Sequence, residues 1–348
     1  MTAFEEVQDA LRKSPRRWLV TGSAGFIGSH ILEQLLRLGQ RVVSVDNFAT
    51  GSRRNLELVR QAVGEAAWQR HRFIEGDIAD PALCRAACAD CDVVLHQAAL
   101  GSVPRSIRDP LATNAANVTG TLNLLFASQA AGVSRFVYAS SSSVYGDEPA
   151  LPKREERTGA PLSPYAASKR TCELYAEAAH RCYGLATIGL RYFNVYGPRQ
   201  DPNGPYAAVI PRWIDAMLKG EPVVIYGDGE TSRDFCYVAN VVQANLLAAA
   251  SDHPQAACTV FNIAVGGRTT LNALFAALKE LLAVRRPELK SVEAVHQDFR
   301  PGDVMHSQAD IARASAVLGY APTHDFKAGL NAALGWYLDD SAARAVHG

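Results

Sequence analysis

The sequence has no surplus of either charge, no long apolar run and no ordered set of cysteines, and each absence removes a class of function. Its 348 residues carry 35 Lys+Arg against 35 Asp+Glu, a formal net charge of zero. A partner such as nucleic acid or an anionic membrane surface calls for a basic stripe that displaces counterions. The only dense basic run here is short, from Arg12 to Arg17, so neither partner is expected. No stretch reaches the roughly 18 consecutive apolar residues of a membrane span. The amino-terminal segment carries Glu5, Glu6 and Asp9 and lacks an unbroken apolar core, so it reads as neither a secretory signal nor a transit peptide. Its Phe4, Val7 and Leu11 suit a short amphipathic helix within an extension of residues 1–16. Seven scattered cysteines, an odd number without an export signal, point to a reducing cytoplasm. Cys88 and Cys91 form one CxxC, but with no second pair and no clustered histidine, two small buried thiols is the better reading and no metal is expected. With 26 Gly and 17 Pro near average usage and 48% hydrophobic residues, the chain reads as a folded protein of about two domains.

What is present is a repeated alternation. Trp18–Thr21, Arg41–Asp46, Arg72–Glu75, Val93–His96, Arg135–Ser140 and Thr187–Arg191 read as strands, each too apolar for a sheet with one face in water. Between the first two, Ile27, Ile31, Leu32, Leu35, Leu36 and Leu38 recur at helical spacing, with Gly39 as the stop; Asn117 to Ala131 behaves likewise, closed by Gly132. This order implies right-handed crossovers and an α/β, Rossmann-like doubly wound parallel sheet. The pattern weakens after Arg191, where residues 194–235 are rich in Gly, Pro, Asn and aromatics, and short helices follow over Leu271–Val284 and Asp310–Leu318. The expected division is a cofactor-binding domain over 17–195, rejoined around 236–260, and a smaller carboxy-terminal substrate-binding lobe over most of 196–345. Ligands of open α/β sheets sit beyond the carboxyl ends of the strands, so that lobe should cover the site.

The first strand runs into Gly22-Ser23-Ala24-Gly25-Phe26-Ile27-Gly28, which opens the first helix of the sheet. Gly22 suits a tight turn, Gly25 a close backbone approach to a pyrophosphate at a helix amino end, and Gly28 close packing of helix on strand. Asp46 closes the second strand 24 residues beyond Gly22, where a carboxylate accepts from an adenosine ribose and repels a 2′-phosphate, favouring NAD over NADP. Asp77-Ile78 stands where an adenine could be flanked, and equally where an Asp could cap a helix. After the fifth strand come Ser140 to Ser143, then Val144-Tyr145-Gly146; Tyr165 and Lys169 follow at i, i+4 on one helical face. A phenol, with an ordinary pKa of about 10, is a poor base at neutral pH and needs an adjacent cation. Lys169 and a positive nicotinamide ring are the available sources, with Ser141 and Ser142 placed to bond a substrate hydroxyl as Tyr165 removes its proton.

These motifs, TGSAGFIGSH at 21–30, VDNFATG at 45–51, GDI at 76–78, HQAA at 96–99, SSSSVYG at 140–146, YAASK at 165–169, RYFNVYGPRQ at 191–200, YGDGETSRDF at 226–235 and RPGD at 300–303, span nearly the whole chain. They resemble the extended short-chain dehydrogenase/reductase superfamily, in particular nucleotide-sugar epimerases of the UDP-galactose 4-epimerase type. The segments LGSVPRSIRDP at 100–110 and NVYGPRQDPNGPYAAVIPRW at 194–213 look most like the bacterial UDP-N-acetylglucosamine 4-epimerases. The resemblance implies a tightly bound NAD, regenerated each turnover, held by Gly22, Gly25, Phe26, Ile27, Gly28, Asp46, Asn47, Gly51, Asp77, Ile78, Gln97, Ala98 and Lys169. It implies a UDP-sugar held by Gly101, Ser102, Ser141, Ser142, Ser143, Tyr165, Asn194, Ala208, Val209, Arg233, Arg300, Asp303 and Ser307. In that assignment Asn194 meets the diphosphate or sugar, the backbone near Ala208 and Val209 holds the uracil, and Arg233 and Arg300 grip the phosphates, for which guanidinium donors are suited. Trp213 is open between stacking near the nucleotide and filling a core.

The reaction implied is oxidation of the sugar 4-hydroxyl, with Tyr165 taking its proton, to a 4-keto intermediate that turns over and is reduced on its other face. Relatives that eliminate water or lose a carboxylate carry Asp-Glu, or a Glu, in the serine run, whereas every position from Ser140 to Ser143 is a hydroxyl here. The expected substrates are UDP-GlcNAc and UDP-GalNAc, with slower action on UDP-Glc and UDP-Gal. UDP-glucuronate or UDP-N-acetylgalactosaminuronate 4-epimerisation is the alternative. Ser307, seven residues past Arg300, is the position where a small side chain leaves room for a 2-acetamido group. The resemblance also implies a homodimer packed through 111–131 and 164–183, and a role in supplying N-acetylgalactosamine for surface polysaccharide.

Overall fold

The computed structural model describes residues 1–202, 208–299 and 305–347, with side chains to residue 341. Seven strands form one sheet: β1 (Arg17–Thr21), β2 (Arg41–Asp46), β3 (His71–Glu75), β4 (Val93–His96), β5 (Arg135–Ser141), β6 (Thr187–Tyr192) and β7 (Thr259–Ile263). Their order is β7-β6-β5-β4-β1-β2-β3, and every pairing is parallel. Six strands fall within a residue of where the apolar runs place them. The seventh has no comparable run, because β7 is an edge strand whose first two residues are only partly buried. β3 corrects the expectation of uniform burial: it is the other edge, and none of its residues is fully buried.

Side chains alternate across the sheet as a strand requires, and two cores result. Trp18 and Val20 face one side, where they meet Ile31, Leu32 and Leu35 of the Phe26–Arg37 helix and Val241 and Leu246 of the Val238–Ala250 helix. Leu19 faces the other, with Cys84, Cys88, Leu124 and Ala176 from the helices Pro81–Cys88, Gly120–Ala130 and Pro164–Tyr183. Cys88 and Cys91 lie in this second core as fully buried thiols, pushed up to about 11 and about 12 chiefly by desolvation. The expected helix from Asn117 to Ala131 is regular only from Gly120; Ala115–Thr119 forms a π turn.

The Ala3–Lys13 helix forms as its pattern predicts, opened by a capping box between Thr2 and Glu5. Gln40 pins it. Fully buried, its amide accepts from Trp18 Nε1 at 3.0 Å and Arg16 N at 2.9 Å, and donates to Leu11 O and Leu38 O, each at 2.8 Å. A third core, built on Ile210, Trp213, Met217, Leu274, Leu278 and Leu330, organises the smaller carboxy-terminal lobe. Among the described residues no helix is long and apolar enough to cross a membrane. Gln40→Leu strands the buried Trp18 Nε1 without an acceptor and should lower the free energy of unfolding by about 3 kcal/mol. Urea denaturation checks it, with an unchanged midpoint refuting the role given to Gln40.

Candidate active site

The glycine loop is shaped by contacts that leave no space for side chains. Gly22 has φ +70, and a Cβ there would stand 2.7 Å from Ala98 N, so residues after β4 press directly on the turn after β1. A Cβ on Gly28 would be driven into the carbonyl oxygen of Gly22. Gly25 opens the Phe26–Arg37 helix with no side-chain cap, leaving the amide end of that helix facing the loop. Asp46 closes the turn from the next strand: one carboxylate oxygen accepts from Ala24 N at 2.9 Å, the other from Phe48 N at 2.8 Å. Burial raises its carboxyl above the usual range while these backbone donors oppose the shift.

Below the loop, His96 ends β4 with both ring nitrogens occupied, by Thr21 Oγ1 at 2.7 Å and Thr121 Oγ1 at 2.9 Å. Desolvation first, and the charge of Lys169 second, push it down to about 3, so it is a neutral structural imidazole. A cleft of about 520 Å³ opens above these strand ends. Its walls include Gly22, Gly25, Phe26, Ile27, Gly28, Asp46, Asn47, Asp77, Ile78, Gln97, Ala98 and Lys169, together with Gly101 and Tyr165. Gly51 alone of the expected cofactor residues is not on that wall; it packs against Ala24, where a Cβ would come within 2.8 Å of the backbone. Asp77 does double duty as a turn residue, accepting from Ala79 N at 2.8 Å and from Asn47 Nδ2 at 2.9 Å. A loop with no room for a Cβ at Gly22 or Gly28, a helix end without a side-chain cap and a carboxylate on the second strand fit a dinucleotide with a free ribose 2′-hydroxyl.

Tyr165 and Lys169 ride on the Pro164–Tyr183 helix, which Ser163 caps by accepting from Ala166 N at 3.1 Å and which Pro164 opens. Lys169 is buried, donates to Ala139 O at 2.9 Å and stands 6.0 Å from the centre of the Tyr165 ring. The four serines diverge. Ser140 turns inward and donates to Glu173 Oε1 at 2.6 Å. Ser141 Oγ accepts from Ser143 N at 3.2 Å, starting the short 3-10 turn Ser142–Tyr145, and Ser143 Oγ is buried without a partner among the described residues. Of the four, the cleft wall takes in Ser140 only; Ser141, Ser142 and Ser143 follow it in the chain and are on neither that wall nor the wall of the second cleft, in the smaller lobe.

A second cleft of about 270 Å³ runs into the smaller lobe, lined by Asn194, Ala208, Val209, Trp213 and Arg233. Ala208 lines both clefts, so they adjoin there. Arg233 is held by donating to Ser232 O at 3.0 Å and Met305 O at 3.2 Å. Trp213 is fully buried, edge-on to Phe275, and serves as both core and cleft wall. Ser307 is not on either wall; its N–H donates to Ser232 O at 3.0 Å, one residue from Arg233. Ser102 caps the Val103–Arg108 helix, accepting from Arg105 N at 3.2 Å. Arg300 and Asp303 lie outside the described residues.

Two groups escape a reading by motif. Asp234, beside Arg233, is fully buried and accepts from Val265 N and Gly266 N at 3.0 Å and Ala309 N at 3.2 Å; burial pushes its carboxyl up to about 6. It thereby ties two segments, at 265–266 and at 309, to the strand that carries the arginine. Glu173, on the Tyr165 and Lys169 face one turn further on, meets Arg191 of β6 in a buried pair at 2.8 and 2.9 Å. Their signal, acids and an arginine inside apolar patterns, is visible only once burial is known. For the cofactor loop, Gly28→Ala should abolish NAD binding and lower stability by about 2 kcal/mol or more, because the added carbon runs into the backbone of Gly22 and Ser23. Cofactor content by absorbance, with thermal unfolding, checks this, and a variant that retains NAD contradicts it.

Residues 18–264 match the NAD dependent epimerase/dehydratase family. The chain is 37% identical to the UDP-glucose 4-epimerase of Mycolicibacterium smegmatis over 88% of its own length and 93% of that protein's. The structure of UDP-N-acetylglucosamine 4-epimerase from Methanobrevibacter ruminantium M1, in complex with UDP-N-acetylmuramic acid, is similar with a TM-score of 0.85 at 39% identity, covering 94% of this chain and 99% of that one. UDP-glucuronic acid 4-epimerase from Bacillus cereus, in complex with UDP-glucuronic acid and NAD, gives 0.81 at 30% identity over 93% and 99%. NAD is thus the cofactor, and the chain belongs to the NAD dependent epimerase/dehydratase family.

Proposed function

We propose that the protein is a UDP-sugar 4-epimerase whose substrates are UDP-GlcNAc and UDP-GalNAc. The observation that carries this reading is the adjoining of the two clefts at Ala208. One presents Tyr165 and Lys169 beside a serine run without a carboxylate, the other an anchored Arg233. A nucleotide diphosphate with its base in the second cleft would direct its sugar toward Tyr165. The similarity to 4-epimerases of three different UDP-sugars supports the chemistry and leaves the sugar to be argued.

The chemistry NAD supplies when bound is reversible removal of hydrogen, with its electron pair, from C4 of the sugar. Tyr165 takes the 4-hydroxyl proton and later returns one, acting as base and then acid. Lys169, anchored on Ala139 O, keeps a positive charge at the tyrosine ring. Ser141 and Ser142, at the end of β5, orient the hydroxyl. Arg233 and, from the sequence, Arg300 hold the diphosphate while the sugar turns. Ser307, whose N–H bonds the residue before Arg233, is the position where a small side chain would leave room for a 2-acetamido group. One observation favours a uronic acid instead: Arg105 lines the cofactor cleft beside Gly101 and could face a sugar carboxylate.

A homodimer is part of the same proposal. Leu111, Phe126, Leu174, Tyr175 and Tyr183 are exposed apolar side chains on the segments 111–131 and 164–183, more than isolated surface positions would explain. Replacing Phe126 and Leu174 by Glu should give a monomer in light scattering; an unchanged mass, dimeric or monomeric from the start, rejects this interface. The function itself is tested by incubating the purified protein with UDP-GlcNAc and no added cofactor. Conversion to UDP-GalNAc is expected, and Ser307→Tyr should lower turnover of the N-acetylated pair by about 100-fold while sparing UDP-Glc. Conversion of UDP-glucuronate alone would establish the competing substrate, and net NADH formation would make the protein a dehydrogenase.

A further inference from the structure

We infer that Ser140 and Glu173 are positioning residues that set the distance between the serine hydroxyls and Tyr165. The Pro164–Tyr183 helix is stitched to the end of β5 twice. Lys169 Nζ reaches Ala139 O at 2.9 Å, and Glu173 Oε1 accepts from Ser140 Oγ at 2.6 Å. Tyr165, Lys169 and Glu173 recur every four residues and share one face, so the two stitches lie on the helix face that carries Tyr165, which lines the same cleft as Ser140. Ser140 immediately precedes Ser141, whose hydroxyl starts the 3-10 turn.

The second stitch is made stiff by what lies behind it. Arg191 of β6 grips both Glu173 oxygens, at 2.8 and 2.9 Å, and the two side chains are 1% and 3% exposed. Arg170 adds a further donor at 2.8 Å. With both oxygens held, Glu173 has little freedom to follow Ser140, so Ser140 is located by the ion pair. These donors outweigh burial and hold the Glu173 carboxyl below its usual range, keeping it an acceptor. Arg191 also donates to Glu155 O at 3.0 Å, which ties the strand, the helix and the 153–155 segment to one buried charge. A neutral core would serve stability as well, since such pairs recover little of their desolvation cost. Fixed geometry is what the arrangement supplies, and proton transfer between hydroxyls is sensitive to fractions of an ångström.

The inference rests on the epimerase reading for its kinetic part, so the test has two readouts. Ser140→Ala removes the stitch and leaves the Glu173–Arg191 pair whole. Thr187→Ala is the comparison: it breaks another bond to the same helix, Thr187 Oγ1 to Ala176 O at 3.1 Å, far from the serine loop. Ser140→Ala should lower kcat for the UDP-sugar about tenfold, leave KM within about twofold and displace the pH profile of kcat, whereas Thr187→Ala should lower Tm without these changes. Amide hydrogen exchange over residues 141–146 reads the same geometry without substrate and should quicken in Ser140→Ala only. Equal kcat losses in both variants, or unchanged exchange over 141–146 in Ser140→Ala, would overturn the assignment. If wild-type protein epimerises no UDP-sugar, the functional reading fails and the exchange data still decide the positioning claim.

Discussion

Parallel pairing is the constraint on which the rest of this molecule depends. Every strand of the sheet runs the same way, so every strand delivers its carboxyl end to one edge. The register makes this quantitative: Thr21 is level with His96, His96 with Tyr138, and Ser141 with Tyr192. The glycine loop, the segment 97–101, the serine run and the start of the smaller lobe therefore emerge side by side although they are far apart in the chain. Contact is close enough that Gly22 has no room for a side chain against Ala98. A cofactor bound there touches several loops because strand hydrogen bonding has already aligned them.

Buried polar groups refine that alignment. His96 spans Thr21 and Thr121, and Asn117 donates to Ser168 Oγ at 3.0 Å on the tyrosine helix, so polar bonds link strand ends to both flanking helices. Glu173 and Arg191 do the same through charge. Removing one partner of such a pair leaves an uncompensated buried ion and costs about 3–5 kcal/mol, so these contacts are expensive to lose even where they add little net stability. They cluster beneath the cleft, where small displacements alter chemistry.

The absence of net charge acquires a different meaning once the clefts are placed. Bulk attraction cannot draw a nucleotide diphosphate to a neutral protein. Positive character is supplied locally, by the uncapped helix after Gly25 and by Arg233 anchored on two carbonyls. Asp234, next to that arginine, holds the segments at 265–266 and 309 against it.

The sequence by itself determined most of the sheet, the cofactor loop and the Tyr165–Lys169 pair. Each is a local pattern: an apolar run bounded by polar residues, glycines at fixed spacing, two side chains one helical turn apart. It did not reveal β7, because an edge strand is only partly buried, nor that the Ser140 hydroxyl is committed to Glu173. It could not pair Glu173 with Arg191 or set Asp234 beneath its three amides, since those partners are 18 to 75 residues apart. Only tertiary structure decides such contacts. Their energy comes from burial and geometry, which no spacing along the chain encodes.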